Sequence, residues 1–594
     1  MKHIRFIPIL LVSLVLSGVL FNACKSDGPK EADNYKYHDN TVRVRMAAEP
    51  DRLSPYLTRS AYSRLVFERV FMYMMDFDPE TLQLTPVLAK SMPVLEEISE
   101  GPYAGGVKMT FEIKNDAVWP NGTPVTAEDA AFSLKAVLVP GMPSVYQPFF
   151  QFFDGLEKDP TNDKKFSLYA KEKYILLEAV AASLCVYPKY VFDPDGLLDE
   201  FTVEALSADD AATALGDNEK LKTFIEKFTS PELTTDPGKM IGSGAYQVDT
   251  WETGQYILIS KKQDWWGSKY ASSSSLFAAY PDTILFKIMP DQTAALSALK
   301  DQELDVANNL DSKDFVELKD NALVSQFYNL ETPPSPTIYL AYLNNKDQIL
   351  SDGKVRKALA HLVDVQDFIT SLYDGLAERV GGPVLKSKPY YNNDLQLVEY
   401  NLEEAKKLLN EAGWTDSDSD GTLDKQINGS KEDLQFEILI SNGSKASENL
   451  ALYMQEAFKR AGVKLDVTKK EFRELMSENV RKKDYQIYIG AMGMDLTLDD
   501  FHQQWHTESD NPSGGNYTGF GSVAMDDLID SIRVNLDENS RNEMYKRFQR
   551  ELYKETPAIF LFSPQERIAI HKRFNAKTSE KRPGFFPNTF ELKK

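Results

Sequence analysis

The stretch FEILISNGSKASENLALYMQEAFKRAGVKLDV, Phe436 to Val467, sets the fold class. Phe436 to Ile440 is a short apolar strand. Leu450, Met454, Ala457, Phe458 and Ala461 then recur at helical spacing on one face, Gly462 stops the helix, and Val463, Leu465 and Val467 alternate as a second strand. This is a strand, helix, strand unit, the building block of an α/β sheet. The same punctuation recurs on both sides of it. Asp364 opens a helix carrying Phe368, Ile369 and Leu372 that ends near Gly375. Asn401 with Glu404 forms a capping box ahead of Ala405, Leu408, Leu409 and Ala412, with Gly413 as the stop. A further strand is expected at Tyr485 to Gly490. Towards the amino terminus, Val42, Val44 and Met46 alternate with arginines in a first strand, and short strands are expected at Met109 to Ile113, Ala245 to Val248, Tyr256 to Ser260 and Ile284 to Met289.

The ends of the chain read differently from its middle. Lys2, His3 and Arg5 precede an apolar run from Phe6 to Phe21 that closes at Asn22-Ala23-Cys24, the layout of an export signal over residues 1–23. The run falls short of the ~18 apolar residues that a membrane span needs. Leu20-Phe21-Asn22-Ala23-Cys24 resembles a bacterial lipobox, with Phe21 where leucine is usual, so Cys24 is the expected lipidation site. Residues 24–40 then form a polar tether, and the folded part starts near Thr41. Cys185, the one other cysteine, has no partner for a disulfide framework. A net charge of -22 over 594 residues argues against nucleic acid as a partner and reads as a solvated surface.

Ordered motifs from Glu49 to about Phe562 resemble the extracytoplasmic solute-binding proteins, family 5, of peptide and nickel ABC transporters. They begin with Glu49-Pro50-Asp51-Arg52-Leu53-Ser54-Pro55 and Pro86-Val87-Leu88-Ala89-Lys90-Ser91. The most specific is Phe111-Glu112-Ile113 through Trp119-Pro120-Asn121-Gly122-Thr123-Pro124-Val125-Thr126-Ala127-Glu128-Asp129. Gly242-Ser243-Gly244-Ala245-Tyr246, Trp251-Glu252, Trp265-Trp266-Gly267, Leu299 to Asp305, Val355 to Leu359, Tyr400 to Trp414 and Thr556 to Ile559 follow in the family's order. The resemblance implies a two-lobed α/β fold of the periplasmic-binding-protein type (type II, the large peptide-binding subclass), with a hinge that the chain crosses twice. Lobe I is then expected at about 41–322 plus 559–594 and lobe II at 323–558. It also implies a monomeric, lipid-anchored envelope protein, outside the cytoplasm, that captures a peptide or similar small solute and delivers it to a membrane permease without covalent chemistry. Most of the motifs read as structural: Asn121-Gly122 as a turn before a helix capped by Thr126, and Gly242 to Gly244 as a sharp bend.

Ligands of open α/β sheets sit at the carboxyl ends of strands. Asp495 follows the expected strand Tyr485 to Gly490 within the segment Ala491-Met492-Gly493-Met494-Asp495. In the family's "W-x-x-D-x-x-D-P" segment the first aspartate takes a peptide's ammonium. Met492 stands here for the tryptophan, Asp495 for that aspartate, and Asp499-Asp500 for the "D-P"; the alternative for Asp495 is a helix cap. Ser60, Ala61 and Tyr62 match the family's ligand-facing edge, where an extended peptide pairs with protein backbone. Met492, Met494 and Trp505 are candidates for adaptable side-chain pockets or for core.

Two metal-like patterns remain. Asp416, Asp418, Asp420 and Gly421 have calcium-loop spacing with Asp424 at the ninth position, but Ile427 stands where a bidentate carboxylate belongs, so calcium competes with a plain Asp/Gly turn. No other cofactor is expected. His502 and His506, four residues apart, are the ligands for a second reading, a nickel- or haem-binding member of the same family. A third reading, an envelope peptidase, lacks its base, because Gln503 follows His502 where a zinc protease has glutamate.

Overall fold

Alternating apolar residues build two sheets, and the chain passes between them twice. The computed structural model describes residues 35–593, so the export signal, Cys24 and the tether as far as residue 34 lie outside the described residues. Asp39–Lys594 is one folded unit.

The first sheet has seven strands in the order Tyr246–Glu252, Tyr256–Lys261, Thr283–Ile288, Thr41–Met46, Val306–Ala307, Ile568–His571 and Tyr328–Glu331. Val42 and Val44 are fully buried in Thr41–Met46, which runs parallel to both of its neighbours. The second sheet has six strands: Ala377–Arg379, Ala558–Pro564, Thr337–Leu343, Ile487–Gly493, Gln435–Ser441 and Lys464–Lys470. Its residues divide by the period of two that a strand imposes. Leu340, Tyr342, Leu439 and Tyr488 join the large apolar core shared with the first sheet. Ala341, Leu343, Ile438, Ile440, Ile487 and Ile489 face a separate core under helix Lys445–Lys459, with Leu450, Met454 and Phe458 from that helix. A third, four-stranded sheet, Val94–Glu97, Val107–Glu112, Lys165–Ala170 and Gly155–Lys158, extends the amino-terminal half.

The crossings fall between Glu331 and Thr337 and between Pro564 and Ile568. Tyr328–Glu331, expected in lobe II, pairs instead with Ile568–His571 of the first sheet. Ala558–Pro564, expected largely in lobe I, pairs with Thr337–Leu343 of the second. Both crossings are polar and proline-rich, Thr332-Pro333-Pro334-Ser335-Pro336 in the first and Gln565-Glu566-Arg567 after Pro564 in the second, so composition marks each several residues from the expected boundary.

Family motifs serve as internal ties. The Glu49 carboxylate accepts the Trp251 indole N–H at 2.9 Å and the Gly254 N–H at 3.1 Å. Asn121 closes a turn at Gly122 (φ 85°), and Asp129 Oδ2 accepts the Thr126 N–H at 2.9 Å at the start of helix Ala127–Leu138. The chain bends at Ser243 to Ala245 as expected, and the glycines at 242 and 244 also admit a neighbouring helix. A Cβ at Gly242 would lie 2.1 Å from the Val70 carbonyl oxygen and one at Gly244 2.6 Å from that of Arg69, so they admit the end of helix Ala61–Val70.

Candidate functional site

The strand Ile487–Gly493 outruns one of its neighbours. Against Thr337–Leu343 it is paired along its whole length, from Leu343↔Ile487 to Thr337↔Gly493. Against Gln435–Ser441, to which it is parallel, the registered pairs are Ile438↔Ile487 and Leu439↔Tyr488. Beyond Tyr488 the two strands part, and from Ile489 to Gly493 that side of the backbone has no partner strand among the described residues. Such a splay is the kind of crevice where α/β sheets take ligands, and an unpaired edge offers N–H and C=O groups to an extended chain.

Asp495 lies two residues past this strand, which ends at Gly493 rather than Gly490. Its carboxylate is exposed and has no hydrogen bond or ion pair among the described residues, so it caps no helix. Asp499, by contrast, is buried. Its Oδ2 accepts the Tyr390 hydroxyl at 3.0 Å, and its Oδ1 lies 3.7 Å from Lys388 Nζ. Burial pushes the Asp499 carboxyl up to about 6, against the pull of Lys388 and Tyr390. The same burial pulls Lys388 down. Lys388 also donates to the Thr497 carbonyl, tying the segment between the two aspartates. Asp500 starts helix His502–Trp505 by accepting the His502 N–H at 3.0 Å. Lys388, Tyr390 and Arg582 escaped sequence reasoning because they reach the site from distant segments with no local pattern. The Arg582 guanidinium donates to the Pro336 carbonyl at 2.7 Å and lies 3.6 Å from where a Gly493 Cβ would be.

The remaining expected site residues divide. Met492 is half-buried beside this edge. Met494 packs with Ile338, Val380 and Leu385, and Trp505, 1% exposed, packs 6.1 Å from the Phe560 ring. Both pack into the apolar interior, the core-side alternative expected for them, although the buried Trp505 indole N–H has no hydrogen-bond partner among the described residues. Ser60 caps helix Ala61–Val70 by accepting the Ser63 N–H, so Ala61 and Tyr62 present first-turn helix backbone rather than a strand edge.

Neither metal-like pattern offers a full ligand set. His506 Nδ1 accepts the Glu508 N–H at 3.0 Å, so the neutral imidazole carries its proton on Nε2, which lies 3.5 Å from Asp530. No lone pair is left on His506 for a metal, although His502, His506 and Glu508 each bring a donor atom within 4.8 Å of the others. The residues therefore do not fit the nickel or haem reading. Asp416, Asp418 and Asp420 cluster on the surface, while Asp424 is held apart by the Ser417 N–H at 2.9 Å, and Lys431 lies against Asp418. The ninth calcium ligand is thus already engaged.

Two lobes and a double crossing define a two-lobed α/β fold of the periplasmic-binding type. A sequence profile of "Bacterial extracellular solute-binding proteins, family 5 Middle" matches residues 83–514, and the chain belongs to that family of binding components, which are not enzymes. It is 23% identical to the oligopeptide-binding protein AppA of Bacillus subtilis over 580 residues, 96% of this chain and 95% of AppA. The structure of AppA with a nonapeptide matches with a TM-score of 0.65 at 22% identity, covering 93% of this chain and 99% of AppA. The ABC transporter substrate-binding protein CtaP of Listeria monocytogenes matches with a TM-score of 0.72 at 19% identity, covering 94% and 100%. NikZ of Campylobacter jejuni, solved with Ni(L-His), matches at 0.64 and 21% identity, covering 91% and 95%.

Proposed function

We propose that this chain is the substrate-binding lipoprotein of an ABC importer, and that it captures short peptides by their amino terminus and main chain. Asp495 takes the ammonium, the edge from Ile489 to Gly493 takes the backbone, and closure of two lobes hands the peptide to a membrane permease. The observation that carries this reading is the splay after Tyr488, which leaves an unpaired strand edge next to an exposed carboxylate that makes no hydrogen bond among the described residues. Backbone pairing is blind to side chains and suits a peptide better than a metal ion. The family's extracellular placement and AppA's nonapeptide point the same way. Lobe I is 41–331 with 568–594, and lobe II is 337–564. No calcium or other cofactor is needed for this chemistry.

The test starts from the small molecules that copurify, identified by mass spectrometry. Calorimetry then compares the recovered peptide with its N-acetyl form. Asp495→Ala weakens binding of the free peptide well over tenfold, about 2 kcal/mol or more, and hardly distinguishes the two forms. Equal loss on acetylation in both proteins would assign the ammonium to another group. For the anchor, Cys24→Ser releases the protein from membranes or leaves it uncleaved; membrane partition after cleavage at the same place would sink the assignment.

A further inference from the structure

A bridge far from the ligand edge in sequence ties the two lobes together. Tyr174 and Ile175 follow the strand Lys165–Ala170 and belong to the first lobe; Asp500 and Arg533 lie between the crossings and belong to the second. The Tyr174 hydroxyl donates to Asp500 Oδ2 at 2.8 Å. Arg533 Nε donates to the same oxygen at 3.1 Å. The Ile175 N–H donates to the Arg533 carbonyl at 2.8 Å, and the Arg533 guanidinium lies 5.4 Å from the Tyr174 ring centroid. Phe152 stacks on Tyr174 with centroids 4.5 Å apart, which fixes the ring on its own lobe.

We propose that Tyr174, Ile175, Asp500 and Arg533 form a latch that holds the lobes closed and so sets how fast a captured ligand leaves. Asp500 does three jobs at once: it accepts from Tyr174 and Arg533 and starts the helix at His502. It also ends the segment that begins at Gly493, where Thr337 marks a crossing of the hinge. The Asp495 to Asp500 segment is therefore pinned at the hinge by strand pairing and at its other end by the opposite lobe. Charge-assisted bonds to one shared carboxylate oxygen, with a backbone bond beside them, give a contact that forms only when both partners arrive in register. The Tyr174 side is 9% exposed, so water competes weakly for it while the lobes are closed.

The test needs no ligand, so its failure is separate from any failure of the peptide reading. Protein stripped of copurified small molecules is followed by hydrogen–deuterium exchange and small-angle scattering. In the wild type the Ile175 amide exchanges slowly. In the Tyr174→Phe/Arg533→Ala double variant it exchanges at least tenfold faster and the radius of gyration grows, while amides of Val107–Glu112 in the same lobe keep their protection. If those strand amides lose protection too, the decision passes to Asp500→Asn, which can still accept the His502 N–H and is expected to open the bridge without unfolding. Fast exchange at Ile175 in the unliganded wild type, or an unchanged amide and radius in a folded variant, overturns the latch.

Discussion

The loop Trp119–Asp129 and the segment Ala491–Asp500 treat their polar groups in opposite ways. In the loop the tip, Pro120 to Pro124, is exposed, but the buried Asp129 carboxylate collects the Thr126 N–H, the Lys189 N–H at 3.1 Å and the Trp119 indole N–H at 3.3 Å. In the segment, Asp499 is satisfied inside while Asp495, four residues earlier, is exposed and meets the Lys388 charge only at longer range. Letter-for-letter agreement with a family therefore marked scaffold here, and the departure from the family's pattern fell where we propose the ligand binds. A hollow of about 300 Å³ lined by Trp119, Asp129, Lys189 and Tyr190 includes none of the expected ligand residues.

The contrast breaks first at Asp129. Asp129→Ala strands the Thr126, Lys189 and Trp119 N–H donors beside a hollow that water can reach in part, and is expected to cost about 2 to 4 kcal/mol in chemical denaturation, with ligand affinity of the folded fraction unchanged. A loss below 1 kcal/mol would mean the loop is not a structural knot. Asp495→Ala is the mirror image: stability stays within about 0.5 kcal/mol of wild type while peptide affinity falls. A large stability loss there would make Asp495 scaffold as well.

A pH-dependent effect sharpens the contrast inside the segment. Asp499 rests at about 6, above the ~3.9 of an unfolded-chain aspartate, so between those values the folded state holds a proton that the unfolded chain has shed. Stability therefore falls as pH rises from about 4 to 6. Asp499→Asn removes that slope, and the variant gains on the wild type by about 2 kcal/mol across the window. Parallel denaturation midpoints at pH 4 and pH 7 would show that Lys388 already compensates in full.

What the sequence made legible follows from range. The strand, helix, strand unit at 436–467 is local, and Gly462 takes its positive φ of 75° as expected. Helix Leu402–Glu411 likewise begins at Asn401, whose side chain accepts the Glu404 N–H. The strand before Asp495 was legible in kind, but its end shifted from Gly490 to Gly493 because Met492 and Gly493 are held by pairing with Ile338 and Thr337. Trp505 and Met494 were ambiguous because an apolar residue after a strand looks the same whether it faces a ligand or a core. The Tyr174 bridge was illegible, since it depends on a partner more than 200 residues away, whereas the lobe boundaries were marked by the Pro333-Pro334-Ser335-Pro336 and Gln565-Glu566-Arg567 runs and were placed several residues away from them.

The strand Ile568–His571 lies between Val306–Ala307 and Tyr328–Glu331, in the interior of the first sheet. A ribosome or an export channel delivers those four residues after every other strand of the two large sheets. Until they arrive the first sheet has a gap where a strand belongs, while everything the second sheet needs, Thr337 to Pro564, has already emerged. The half of the molecule that is made first is thus the half that must wait to be finished, and a chain halted at residue 564 would present a folded second lobe beside an open-edged, protease-sensitive first one.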